Sequence, residues 1–317
     1  MRKLTILLAA VLTVLLLASC QSKASPKLLV PTDSNLIANV QVSKLLADVD
    51  WAQLYSAIPS APGEKPPSLS DALDQLFQET GIDVRFFTEA TLFARIPDEY
   101  VGAALVGSFD EAKFIQNLEE KTGEKVTRET FEGHTLYFEP EQGGGLTFVG
   151  KDLMVAGTAQ ALKDAMSVAD GKKSSISGDI KTAYDDLGTP LAKVVFAIPD
   201  QLRQQMLKEM GGGSSGMPLD LSPLAGVSTL AVSLDKSSQD LTLLVKGRYD
   251  TADAAQKAQS VLEGTRMLLG GLIPVPEISA FLNKVQVSRQ ESWVSLNLKA
   301  SVDEIKGLAE ALSKLDQ

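Results

Sequence analysis

Thr91-Leu92-Phe93-Ala94-Arg95-Ile96-Pro97-Asp98-Glu99-Tyr100-Val101-Gly102-Ala103-Ala104-Leu105-Val106-Gly107-Ser108-Phe109-Asp110 decides the fold class. Two apolar runs, residues 91–96 and 100–106, flank the turn-forming triplet Pro97-Asp98-Glu99 and read as an antiparallel hairpin. Asp110 follows directly as a helix N-cap, because its carboxylate can accept the N–H groups that the first turn leaves unpaired. The helix it opens runs to about Lys121 and carries Phe114, Ile115 and Leu118 on one face. A hairpin that leads into a helix is the signature of an α+β protein, not of parallel strands joined by crossovers.

Working outward, the same alternation recurs on both sides. Leu36, Ala38, Val40 and Val42 alternate as a strand, and Ser43 caps a helix carrying Leu46, Val49, Leu54 and Ile58. A Pro- and Ser-rich loop over 59–67 precedes a helix with Leu69, Leu73, Leu76 and Phe77 on one face, stopped by Gly81. Four short strands near 125–130, 134–139, 146–150 and 152–156 come next, and Thr158 opens a helix with Leu162, Ala165, Met166 and Ala169 aligned. Residues 171–190 are polar and poorly periodic and read as a junction.

The second half repeats the order. A strand at 194–197 leads to a helix with Leu202, Met206 and Met210, ended by a glycine loop at 211–216. Alternating Leu230, Val232, Leu234 and Leu241, Leu243, Val245 give two strands, and a helix starts at Asp250. Val294, Leu296 and Leu298 form a last strand. Ser301-Val302-Asp303-Glu304 then fits a capping box before a helix with Ile305, Leu308, Ala309 and Leu312. Gly107-Ser108-Phe109-Asp110 matches Gly247-Arg248-Tyr249-Asp250, so the halves read as diverged copies. The expected fold is α+β, two related modules, each an antiparallel sheet with helices packed on one face. The modules span 35–170 and 191–317.

At the N-terminus, Arg2 and Lys3 precede an apolar run from 4 to 17, and Leu17-Ala18-Ser19-Cys20 closes it. The run matches the apolar core of a signal peptide and is shorter than the roughly 20 residues that span a bilayer. This segment resembles the lipobox of bacterial lipoproteins. The resemblance implies a leader over 1–19, a diacylglycerol on the Cys20 thiol and attachment to the cell membrane or the outer membrane, with the body exported from the cytoplasm. Cys20 is the sole cysteine, so a lipidated Cys20 leaves the body with no disulfide and no thiol chemistry. Residues 20–34 read as the lipidated cysteine and a flexible tether, with a reach of about 50 Å at most. The body resembles a broad group of uncharacterised bacterial surface proteins built from paired α+β repeats. The residues that carry this are Pro31-Thr32-Asp33-Ser34-Asn35, Thr80-Gly81-Ile82-Asp83 and Gly150-Lys151-Asp152-Leu153-Met154-Val155. That resemblance implies a fold and no active site.

Charge narrows the partners. The chain carries 30 basic and 40 acidic residues, and losing Arg2 and Lys3 with the leader leaves a net charge of −12. Such a body repels nucleic acid and anionic headgroups. His134 is the only histidine and reads as an exposed turn residue, with no Gly-x-Ser-x-Gly elbow to supply a triad serine. With one histidine and no free thiol, neither a zinc site nor a cofactor is expected. The glycine runs at 143–145 and 211–216 lack a phosphate-loop ending and read as loop tips. Asp98 with Glu99, and Glu119 with Glu120, are adjacent carboxylates that diverge, as solvated surface charge does.

Two apolar features remain. Met206 and Met210 lie one helical turn apart, and the run 267–276 (Met267, Leu268, Leu272 and Ile273 among it) reads as a loop after a helix. Both suit a core, or the surface of an apolar ligand or partner. The expected function is a non-catalytic, membrane-tethered lipoprotein acting in binding or assembly at the cell envelope. Its partners are the membrane, through lipid on Cys20, and an unknown envelope protein or apolar ligand, with no nucleic acid. The alternative is an envelope carrier of an apolar or lipid ligand; a cryptic hydrolase is the third reading.

Overall fold

The computed structural model describes residues 29–48, 68–80, 82–139, 143–211, 222–237, 240–272 and 275–313. The chain divides into two compact units, Met1–Ser177 and Gly178–Gln317. Cys20, the leader, the loop at 59–67 and most of the glycine loop at 211–216 lie outside the described residues.

In the first unit the strands are β1 (Leu36–Val40), β2 (Phe87–Arg95), β3 (Tyr100–Gly107), β4 (Thr127–Phe131), β5 (His134–Phe138), β6 (Gly144–Val149) and β7 (Leu153–Thr158). They pair antiparallel throughout, in the order β1-β2-β3-β7-β6-β5-β4. The helices are α1 (Val42–Asp48), α2 (Leu69–Thr80), α3 (Glu111–Thr122) and α4 (Ala159–Ala169). Asp110 caps α3 as its spacing predicts, accepting from the Lys113 N–H at 3.2 Å. Ser43 does not cap α1, which already begins at Val42.

Register separates the two faces of this sheet. Glu129 pairs with Leu136 and lies on the face where Lys163 of α4 reaches it at 2.8 Å. Tyr137, one residue on, points to the opposite face, and its ring and that of Phe148 meet there at 6.3 Å. Phe148 in turn meets Phe114 of α3 at 5.6 Å and Phe109 at 5.9 Å. Helices therefore cover both faces of this sheet instead of one. Gly144 and Gly145, read with Gly143 as a loop tip, instead open β6, where a side chain on Gly145 would lie 2.5 Å from the Phe138 ring and the Tyr137 carbonyl.

The tether boundary also moves. Leu29 and Val30 are buried, the Ile176 N–H donates to the Val30 carbonyl at 2.8 Å, and the Thr32 N–H donates to Ser174 at 3.1 Å. Residues assigned to the tether are thus part of the first unit, because their apolar side chains outweigh the polar context on which the tether reading rests.

The second unit opens with α5 (Gly178–Asp186), inside the stretch read as a junction. Its core-facing positions are only Ile180, Ala183 and Tyr184, too short a stripe to stand out among polar neighbours. The strands β8 (Ala192–Ala197), β9 (Val227–Ser237), β10 (Asp240–Tyr249), β11 (Gln286–Gln290) and β12 (Trp293–Ser301) follow. They pair antiparallel in the order β8-β9-β10-β12-β11. The helices are α6 (Asp200–Gly211), α7 (Ala252–Leu272), α8 (Pro276–Lys284) and α9 (Val302–Ser313). Buried Lys193 faces α5 and donates to the Tyr184 and Gly188 carbonyls at 2.9 and 2.6 Å. Phe196, on the opposite face, packs in a core with Leu202 and Met206 of α6 and Ala255 and Ala258 of α7.

Leaving aside β4, β5 and the second helix after β1 in the first unit, and α5 and α8 in the second, each unit runs strand, helix, 3₁₀ turn, hairpin, helix, hairpin, helix. The matched tetrapeptides occupy equivalent places. The Phe109 N–H donates to Lys151 at 2.8 Å, and the Tyr249 N–H donates to Ser292 at 2.9 Å, each acceptor lying in the turn of the following terminal hairpin.

Candidate functional site

Of the apolar positions singled out from the sequence, the side chains of Met206, Met267 and Leu268 are among the described residues. Met206 is half-buried in the core of the second unit. Met267 stands on α7 with 69% of its surface exposed, and Leu268 beside it is half-buried. Met210 and Leu272 belong to helices, but their side chains lie outside the described set, as does Ile273 altogether. The run at 267–276 is not a loop from its start. α7 continues through Leu272, because Met and Leu are good helix formers and two glycines cost less than the packing gains. Pro276 then begins α8 at the position where proline is best tolerated.

A more coherent apolar surface comes from strand register. Val194, Val232, Val245 and Leu296 stand side by side across four strands. Leu234, Leu243 and Leu298 form the adjoining row. Val194, Leu234 and Leu243 are each more than a third exposed, as is Leu207 of α6. In the first unit the only large apolar side chain so exposed among the described residues is Phe86.

The other face of β10, β12 and β11 is polar apart from Leu244 and Trp293, and at its end lies a cleft of about 550 Å³. It is lined by Asp240, Thr242, Asn283, Lys284, Gln286, Asn297, Lys299, Ala300, Ser301 and Glu304. Lys299 pairs with Asp240 at 2.9 Å and Lys284 pairs with Glu304. Glu304 also completes the capping box read from the sequence: its carboxylate accepts from the Ser301 N–H at 2.9 Å, and its own N–H donates to Ser301 Oγ at 3.2 Å. Lys284, then the Ser301 N–H, hold the Glu304 carboxyl below its ordinary pKa. The side chains of Thr242, Asn283, Gln286 and Asn297 have no hydrogen-bond partner among the described residues. None of these positions was singled out from the sequence. The signal was the polar set Ser295, Asn297 and Lys299 interleaved with the apolar Val294, Leu296 and Leu298.

A smaller cleft of about 360 Å³ lies in the first unit between α3 and the outer hairpin, lined by Glu111, Glu119, Arg128 and Tyr137 among others. Tyr137 donates to Glu111 at 2.5 Å, and the Val126 N–H donates to Glu119 at 3.1 Å. Burial, reinforced by Glu111, raises the Tyr137 pKa.

His134 is not a free turn residue. It opens β5 and its Nε2 lies 3.1 Å from Asp170 at the end of α4. His134 and then Lys172 lower the Asp170 pKa. Glu119 accepts from a backbone N–H, and Asp98 lies 3.7 Å from Arg95. Among the described residues, no three or more His, Cys, Asp or Glu are placed to hold a metal ion, and no helix is long and apolar enough to cross a membrane.

No family model and no curated protein matches the chain. Three solved structures of TP0453 are similar in fold. Crystal form III aligns with a TM-score of 0.50 at 9% identity, covering 92% of this chain and 100% of that one. Form I aligns at 0.49 and 7% identity, covering 92% and 98%, and form IV at 0.48 and 9%, covering 90% and 96%. At such identities the likeness is one of fold alone.

Proposed function

We propose that this protein is a non-catalytic lipoprotein of the bacterial cell envelope, tethered through lipid on Cys20 and acting by binding or assembly. The observation that carries the binding part is the pair of cross-strand apolar rows, Val194–Val232–Val245–Leu296 and Leu234–Leu243–Leu298, with members open to solvent. Apolar side chains contiguous across a sheet stabilise a complex by removing that surface from water. The lipobox ending in Cys20 supports the tether.

The test pairs two variants. Cys20→Ala is expected to leave the membrane fraction or to stall before maturation, whereas normal maturation and membrane retention overturn the tether. Leu234→Ser with Leu243→Ser is expected to keep membrane attachment and lose crosslinks to envelope partners. A reproducible turnover of an envelope substrate, abolished by one carboxylate substitution, overturns the non-catalytic part.

A second reading, carriage of an apolar or lipid ligand, is favoured by the same rows together with exposed Met267. Native mass spectrometry of the gently extracted protein separates the two. Mass beyond the anchor that is released on denaturation supports carriage, and its absence supports a protein partner.

A further inference from the structure

We propose that the cleft at the β10–β12–β11 end of the second unit binds a short stretch of neutral polysaccharide. The proposal rests on reading the protein as a binding protein and names a ligand class for a site separate from the apolar rows.

Charge is the first argument. The cleft contains two lysines and two carboxylates, and they neutralise one another as Lys299–Asp240 and Lys284–Glu304. An anionic ligand would have to break those pairs and approach a body of strongly negative net charge. A cation would compete with the lysines for carboxylates already engaged. The site is electrically balanced, and a neutral ligand fits it.

Hydrogen-bonding capacity is the second. Each amide of Asn283, Gln286 and Asn297 offers a carbonyl acceptor and an NH₂ donor pair, and Thr242 adds a hydroxyl. All four lack partners among the described residues. A sugar hydroxyl both donates and accepts, so amides that present both functions together match it. Asn297 pairs with Gln286 in register, and Thr242 pairs with Lys299, so these groups span three adjacent strands and suit a ligand with polar groups on several sides.

The lining excludes the other occupants. Ala300 is the one side chain in it without a polar group, so neither an acyl chain nor the apolar side chains of a peptide would find a pocket there. A volume of about 550 Å³ lies within the usual range of roughly 300–1,000 Å³ for small-ligand sites. No aromatic ring lines the cleft to stack a sugar, so binding is expected to be weak, with Kd about 1 mM.

The experiment uses the full mature chain in a zwitterionic, sugar-free detergent, since a glycosidic detergent would compete. Chitotetraose and maltohexaose are titrated by saturation-transfer NMR and calorimetry. Saturable binding of at least one is expected. Asn297→Ala with Gln286→Ala should weaken it about tenfold or more, while thermal unfolding stays unchanged. Arg128→Ala, in the cleft of the first unit, should leave binding as it was.

Absence of saturable binding by both sugars overturns the proposal, as does equal binding by the double variant. Preference for anionic hyaluronate or for an uncharged peptide overturns it too. Cleavage of the sugar during the titration has a different meaning: the site stands and the non-catalytic reading falls.

Discussion

Tyr100 on β3 donates its hydroxyl to Asp164 on α4 at 3.1 Å, and so fastens strand to helix from within the first unit. Lys173 reaches the same carboxylate at 2.9 Å and Asp33 at 3.3 Å, and Arg95 pairs with Asp33 while lying 4.3 Å above the Tyr100 ring. Burial first, and Asp164 second, push the phenol pKa far up, so Tyr100 stays a donor at any physiological pH. Tyr100→Phe is expected to cost about 1.5–3 kcal/mol, the usual worth of a hydrogen bond to a charged group. The readout is the urea midpoint at unchanged slope. An unmoved midpoint would mean that Lys173 and the Gln160 amide suffice to satisfy Asp164.

Two glycines should respond with opposite sign. Phe93 lies across from Gly102 in register, and a Cβ on Gly102 would sit 2.2 Å from its ring. Gly102→Ala forces that buried ring aside and is expected to destabilise by about 1–3 kcal/mol. Gly307, in α9, has nothing within 4 Å of the equivalent position. Gly307→Ala should stabilise by about 0.5–1 kcal/mol through helix propensity. Paired thermal melts decide, and equal effects would contradict the packing described at Gly102.

Glu304 sets a pH dependence with a definite sign. Its pKa is lowered in the folded state, so its contribution is complete above the ordinary carboxyl value of 4.5 and is lost as pH falls through the lower folded value. Replacing it by glutamine should remove that slope. Wild type and Glu304→Gln are therefore expected to differ most near neutral pH and to converge in acid. Curves that stay parallel down to about pH 2 would show that Lys284 and Ser301 do not hold the carboxylate.

Lys193 offers a test of buried polar satisfaction. Its ammonium lies among the Tyr184 and Gly188 carbonyls and 3.5 Å from the Tyr184 ring centroid. Lys193→Met keeps much of the volume but leaves those carbonyls without this donor. A loss of about 1–3 kcal/mol is expected in chemical unfolding. A neutral result would place water in the role of the ammonium.

The legible parts of the sequence were those where one local rule had no competitor. Asp110 and the Ser301–Glu304 box cap their helices as read, and the alternation of Leu230 to Leu234 and Leu241 to Val245 produced paired strands. The failures share a cause: a weak local pattern overruled by packing. α5 hides behind polar residues, α7 runs past two glycines, and Leu29 and Val30 look like linker until Ile176 closes over them. The polar cleft was not legible for another reason. Thr242, Asn297 and Gln286 come from different strands, and only register brings them together.

The short ladder between residues 30–32 and 174–176 has a mechanical side. If the chain is held to a membrane from its N-terminus, tension from the anchor meets those backbone bonds before it reaches β1. Along the chain those bonds come before the ion pairs of Asp33 with Lys173 and Arg95. On the reading that the chain is anchored, the ladder places a short, separately held segment between the anchor and the sheet.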